Sequence, residues 1–166
     1  MNTLYFDTKN TPIGKLLLVS KNDRICQIIF ENKISSYIDS IKLENRELLK
    51  TKTNKTLSIL SDQIDEYFSK RRSFFNIKLD ISMPPFYQKV LNEVMKIPYG
   101  EFRTYKEIAT KTGNPNAYRA AGTANARNAI PIIIPCHRVL RNNGDIGGYG
   151  GGLKIKKYLL KMEGVI

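Results

Sequence analysis

Thr104-Tyr105-Lys106-Glu107-Ile108-Ala109-Thr110-Lys111-Thr112-Gly113-Asn114-Pro115-Asn116-Ala117-Tyr118-Arg119-Ala120-Ala121-Gly122-Thr123-Ala124-Asn125-Ala126 is the stretch that organises the chain. Thr104 followed three residues later by Glu107 is a capping-box spacing and predicts a helix start. Gly113 ends that helix. Asn114 then caps a second one, with Pro115 at its first position, where a missing N–H costs nothing. Two short helices joined by a Thr-Gly-Asn-Pro turn have the form of a helix-turn-helix. The second is rich in alanine and glycine, which permits close approach to another backbone. That neighbour is either a protein core or a nucleic-acid groove, and at this point both remain open.

Working upstream, Ser82-Met83-Pro84-Pro85 punctuates the chain. Pro84 and Pro85 suit a helix start, and Phe86, Val90, Leu91 and Val94 follow at helical spacing up to Pro98-Tyr99-Gly100. Residues 4–9, 15–20 and 24–31 read as strands separated by turns. Residues 34–49 and 57–71 have helical period, and a short strand is expected at 75–79. Sheet plus helices in one half-chain is an α/β (α+β) pattern. The expected boundary falls within residues 76–84, giving domains 1–80 and 81–166.

The chain has 166 residues, 42% hydrophobic, enough for one domain or two small ones. Lys and Arg number 27 against 15 Asp and Glu, so the net charge is +12. Residues 84–166 hold 13 basic and 5 acidic side chains, which puts +8 in the second half. Such an excess suits a polyanionic partner, nucleic acid first and an anionic membrane surface second, although coding bias towards Lys, Asn and Ile gives the same composition. No window approaches ~18 consecutive apolar residues, and no signal peptide is expected. With Cys26, Cys136 and His137 as the only cysteines and histidine, neither a Cys/His zinc site nor a disulfide framework is expected. The expected compartment is the cytoplasm.

Downstream lies Ile132-Ile133-Ile134-Pro135-Cys136-His137-Arg138-Val139, an apolar strand-like run leading into a thiol beside the sole imidazole. A thiol becomes nucleophilic when His or cationic neighbours lower its pKa. In an extended segment, adjacent side chains face opposite ways, so His137 would need a bend or a water to reach the sulfur. A Cys-His pair alone also fits a buried inert cysteine. Six glycines between Gly144 and Gly152 form a loop without the Lys-Ser/Thr ending of a phosphate-binding loop. In the final helix, Lys154, Lys156, Lys157 and Lys161 read as a solvated face, and Glu163 by itself as a surface residue. Cys26 reads as a buried apolar residue.

Taken together, residues 85–164 resemble the O6-alkylguanine-DNA alkyltransferases, also called methylated-DNA–protein-cysteine methyltransferases. The resemblance rests on Ile130-Pro131-Ile132-Ile133-Ile134-Pro135-Cys136-His137-Arg138-Val139, with PCHRV its most specific part. Pro98-Tyr99-Gly100-Glu101, Thr104-Tyr105, Gly113-Asn114-Pro115, Arg119-Ala120, Gly148-Tyr149 and Leu159-Leu160-Lys161-Met162-Glu163-Gly164 add to it. The first half matches only in its order of elements, which implies a small ribonuclease-H-like domain of structural role.

The resemblance implies direct-reversal DNA repair in a single turnover, without cofactor or metal. Cys136 would keep the alkyl group as a thioether, with His137 acting on the thiol through a water and Glu163 holding the imidazole. Asn128 would brace the Cys136 loop. Tyr105 would bond the flipped base, and the backbone at Cys136, Val139 and Gly150, beside Tyr149, would read the guanine edge. Arg119 would fill the space left in the duplex, approached through the minor groove by a monomer. Departures are Ala129 where many members have proline, Gly150 where serine or alanine is common, and Tyr158 for a usual tryptophan. The zinc ligands some members carry in the first domain are missing. A non-catalytic lesion binder conflicts with the presence of Cys136. A Cys-His hydrolase leaves Arg119 and the helix pair unexplained, and a transcription regulator leaves PCHRV unexplained.

Overall fold

A computed structural model describes residues 3–166 and divides the chain into two compact units, 1–81 and 82–166. In the first, β1 (Thr3–Thr11), β2 (Gly14–Lys21) and β3 (Arg24–Phe30) form an antiparallel meander. Asn22 and Asp23 both have positive φ, +48° and +58°, which makes the β2–β3 link a two-residue turn matched to strand twist. Leu16-Leu17-Leu18-Val19 is buried without alternation, so β2 is covered on both faces. Leu17 and Val19 join Leu4 and Ile41 in one cluster, against which Phe6, Cys26, Ile29, Ile34, Tyr37 and Leu48 pack.

Two sequence expectations are corrected in this unit. The helix foreseen over 34–49 is α1 (Ile34–Leu43), followed by β4 (Glu47–Lys50), which pairs in parallel with β1 at the sheet edge. Asn45 at φ +51° explains the stop, because a left-handed residue after Glu44 terminates the helix. The sheet order is therefore β3-β2-β1-β4. No strand forms at 75–79; the segment makes a single bridge, Ile25 with Leu79. It is anchored instead by a two-way bond from α2 (Lys55–Phe68), where Gln63 Nε2 donates to Asn76 O and Gln63 Oε1 accepts from Asn76 N, at 2.9 and 3.0 Å.

The second unit is mainly helical: α3 (Pro85–Met95), α4 (Tyr105–Lys111), α5 (Tyr118–Ala126) and α6 (Leu153–Met162). A short parallel pair, β5 (Arg103–Thr104) with β6 (Val139–Leu140), ties the start of α4 to the segment following Cys136. The capping box is complete: Thr104 Oγ1 accepts from Glu107 N at 3.2 Å, and Glu107 Oε2 accepts from Thr104 N at 2.6 Å. Asn114 Oδ1 caps the 3-10 turn Pro115–Ala117 that leads into α5. Buried Val90, Leu91 and Val94 of α3, Ile108 and Ala109 of α4, Ala121 and Ala124 of α5 and Leu159 and Leu160 of α6 supply its core. Among the described residues, no helix is long and apolar enough to cross a membrane.

Candidate active site

The three isoleucines 132–134 read as strand-like in sequence, but in the structure they lie in a tight turn spanning Ile130–Ile134. Ile132 sits at φ +76°, a strained conformation for a β-branched residue, and Ile134 N donates to Ile130 O at 3.0 Å. Asn128 holds both ends of this turn: its Oδ1 accepts from Ile130 N at 3.0 Å, and its Nδ2 donates to Ile134 O at 2.9 Å. Pro135 then has φ −80° and ψ 61°, an inverse γ-turn closed by Cys136 N donating to Ile134 O at 2.7 Å. Cys136–Arg138 form one turn of 3-10 helix rather than the extended segment expected from sequence. In such a turn the two successive side chains point about 120° apart rather than to opposite faces, so a bridging water is still needed between them.

His137 is fully buried. Its Nε2 lies 2.8 Å from Glu163 Oε1. A carboxylate accepts, so the proton sits on Nε2 and Nδ1 carries the lone pair. Nδ1 has no protein partner among the described residues. Burial pushes the imidazole below its ordinary pKa, opposed by the hydrogen bond and charge of Glu163.

The same carboxylate receives Arg138 as a fork, Nε to Oε2 and Nη2 to Oε1, both at 2.8 Å, while Arg138 Nη1 donates to Ile97 O at 2.7 Å. Burial alone would raise the Glu163 carboxyl, but the bonds and charges of His137 and Arg138 hold it down at about 2. Burial pushes the Cys136 thiol up, while hydrogen bonding from Asn128 and the charge of Lys156 pull back.

Lys156 is not part of a solvated face. It is fully buried, with Nζ donating to Val139 O at 2.8 Å and Gly148 O at 3.3 Å. It thus joins the strand after the thiol to the glycine loop, and burial lowers its pKa to about 8. In that loop Gly150 is exposed and Tyr149 half-buried, its ring 6.4 Å from the His137 ring in edge contact.

On the helix pair, Tyr105 is half-buried at the start of α4, and a side-chain carbon at Gly122 of α5 would lie 3.8 Å from its ring. Arg119 is exposed on α5, its guanidinium 6.0 Å from the Tyr118 ring. Sequence reasoning missed Asn125. Buried on α5, it donates from Nδ2 to Cys136 O at 3.2 Å and to Tyr105 Oη at 3.5 Å. No cluster of three or more His, Cys, Asp or Glu suited to a metal occurs among the described residues.

A family described as 6-O-methylguanine DNA methyltransferase, DNA binding domain, matches residues 85–165, and its ribonuclease-like domain matches residues 3–81. The methylated-DNA–protein-cysteine methyltransferase of Methanosarcina barkeri is 40% identical over 161 residues, 96% of this chain and 97% of that protein. The chain belongs to the methylated-DNA–protein-cysteine methyltransferase family. The constitutive member from Bacillus subtilis is 38% identical, covering 96% of this chain and 94% of its own length. The crystal structure of the Mycobacterium tuberculosis O6-methylguanine methyltransferase superposes with a TM-score of 0.85 at 35% identity, over 97% of this chain and 93% of that one. A further structure, of Mycobacterium tuberculosis OGT in complex with DNA, gives 0.84 at 34% identity, covering 98% and 92%.

Proposed function

We propose that this protein repairs alkylated DNA by moving the alkyl group from O6 of guanine to Cys136 in one irreversible step. The observation that carries the reading is the buried chain Arg138–Glu163–His137 ending at the Cys136 turn, in a unit built around a helix-turn-helix. The structural relative solved with DNA supports a duplex partner.

The chemistry follows from the charge states. Glu163 keeps the Nε2 proton in place, so Nδ1 takes the thiol proton, through a bridging water. The sulfur lone pair forms the S–C bond while the C–O6 bond breaks and its electron pair passes to the purine. A proton returned to the base completes guanine, leaving S-alkylcysteine. Nucleophile, base and leaving group are all supplied, so the step requires no cofactor. A thioether has no easy leaving group, which ends the reaction after one event.

O6 of a stacked base cannot reach the thiol of a cysteine that is only 5% exposed, so the nucleotide must be extruded. Arg119, exposed on α5, is suited to enter the duplex. Ala120, Gly122 and Ala126 allow that helix close to a minor groove. Tyr105 meets the extruded base, and the backbone of Cys136, Val139 and Gly150 lines its edge. The protein acts as a monomer, the second unit carrying binding and chemistry and the first supporting it. Incubation with excess duplex carrying O6-methylguanine, followed by intact mass and peptide mapping, should show one methyl group per chain, on Cys136. Repeated turnover, or a methyl on Cys26 with Cys136 unmodified, would overturn the reading.

A further inference from the structure

The two N–H bonds of the Asn125 amide are both spent on the protein: one on Cys136 O at 3.2 Å, the other on Tyr105 Oη at 3.5 Å. The opposite amide orientation would set two acceptors, Oδ1 and Cys136 O, against each other, so the donor end is fixed. Cys136 O also accepts Val139 N–H, closing the 3-10 turn. Asn125 Oδ1 is buried without a partner among the described residues. An orphaned acceptor beside a reactive centre is a cost the fold tolerates only where the other end of the side chain is needed.

A phenol is both donor and acceptor, and its proton rotates to suit its neighbours. An N–H directed at Tyr105 Oη occupies an oxygen lone pair and turns the O–H away from α5. We propose that Asn125 is a positioning residue that sets the polarity of the Tyr105 hydroxyl and locks it to the backbone of the nucleophile, so that an extruded base meets Tyr105 as a hydrogen-bond donor. The proposal rests on the alkyl-transfer reading. It also places the link between the helix carrying Arg119 and the turn carrying Cys136 on one amide. Burial raises the Tyr105 phenol above its ordinary pKa, and the hydrogen bond from Asn125 is the largest influence pulling the other way.

The test is a double-mutant cycle on the full-length protein, reading the single-turnover rate of methyl transfer from O6-methylguanine duplex. N125A should slow transfer about three- to tenfold, the factor carried by one hydrogen bond, and Y105F by at least as much. N125D, which offers Tyr105 an acceptor and draws its proton inward, should be slower than N125A. In the Y105F background N125A should change the rate less than twofold, because Asn125 acts through the phenol. A full multiplicative loss in that background would overturn the proposal and reduce Asn125 to a prop for the Cys136 turn. Should the Asn125 variants unfold, the side-chain amide resonances of Asn125 in wild type and Y105F decide: one amide proton should move on loss of the hydroxyl, and no movement overturns the coupling. Absence of methyl transfer by the wild type would instead sink the alkyl-transfer reading itself.

Discussion

The sheet unit and the helical unit each contain one cysteine, and the two thiols share a first property: burial raises both. Cys26 lies on β3 at a bulge, where the register passes from Val19–Gln27 to Ser20–Ile25 and leaves it without a partner across the ladder. It is half-buried against the α1 side of the core, donates to Val19 O at 3.5 Å, and is raised to about 11 by burial and then by Asp80. The charges of Arg46 and Lys21 only partly offset that rise. Around Cys136, by contrast, every backbone atom is committed: N to Ile134 O, O to Asn125 and Val139 N, with Asn128 bracing the preceding turn. Burial alone makes a thiol inert. What separates the two is a fixed backbone and the buried Arg138–Glu163–His137 chain, which on the proposed reading takes the thiol proton.

Removing each sulfur in turn separates the two environments. C136A should abolish methyl uptake from O6-methylguanine duplex altogether, since it removes the sulfur proposed to accept the group. C26A should leave the transfer rate within about twofold and lower stability by roughly 1 kcal/mol, the cost of trimming a partly buried side chain. Equal loss of transfer in the two variants, read by intact mass, would mean that the contrast drawn between the environments is not the functional one.

The second test addresses the relay. E163Q keeps shape but removes the charge that steadies a protonated imidazole, and the transfer rate near neutral pH should fall about 100-fold, within the range of a general base. The apparent thiol pKa should rise. Arg138 then loses its counter-charge inside the protein, so unfolding should become easier by about 3–5 kcal/mol. The wild-type carboxyl is held at about 2 against an ordinary 4.5, so its contribution is present above pH 4.5 and is lost as pH falls towards 2. A rate–pH profile unchanged in E163Q would make Glu163 a strut for Arg138 only.

Several of these features are legible in the sequence for identifiable physical reasons. Thr104 with Glu107, Asn114 with Pro115, and Pro85 after Pro84 announce helix starts because capping chemistry is local. The hairpin strands are legible because their turns are short. Ile132–Ile134 misleads because a short apolar run looks the same in a strand and in a buried turn, and the positive φ of Ile132 is imposed by Asn128 bonding across it. The true end of α1 depends on Asn45, whose left-handed conformation is one choice among several for that residue. The roles of Arg138 and Asn125 are not legible, although Arg138 belongs to the PCHRV run, since their partners Glu163, Ile97, Cys136 and Tyr105 are distant in sequence. Lys156 was readable in part. It stands three and four residues before buried Leu159 and Leu160, on the same helical stripe, but a lysine there is ordinarily solvated.

That lysine gives a smaller expected effect than the relay and the most direct contrast with the sheet unit, whose described lysines include none that is fully buried. The Lys156 ammonium has its pKa lowered by burial to about 8, against an ordinary 10.5. A cation whose pKa is depressed by folding penalises the folded state wherever it is charged in both states, here below about pH 8. As pH rises from 8 to 10.5, the folded protein releases the proton before the unfolded chain does, so the unfolded chain holds more protons and stability rises. Cys26 and Tyr105 act in the opposite sense, but they do so equally in a variant at position 156. The comparison is therefore C136A against C136A carrying K156M, which removes the one thiol coupled to the ammonium. Urea unfolding of the two proteins should diverge in favour of the lysine-containing chain by roughly 2 kcal/mol between pH 7 and pH 10. A stability difference that stays flat across that interval would mean that Lys156 keeps its proton throughout, held by Val139 O and Gly148 O strongly enough to cancel the cost of burial.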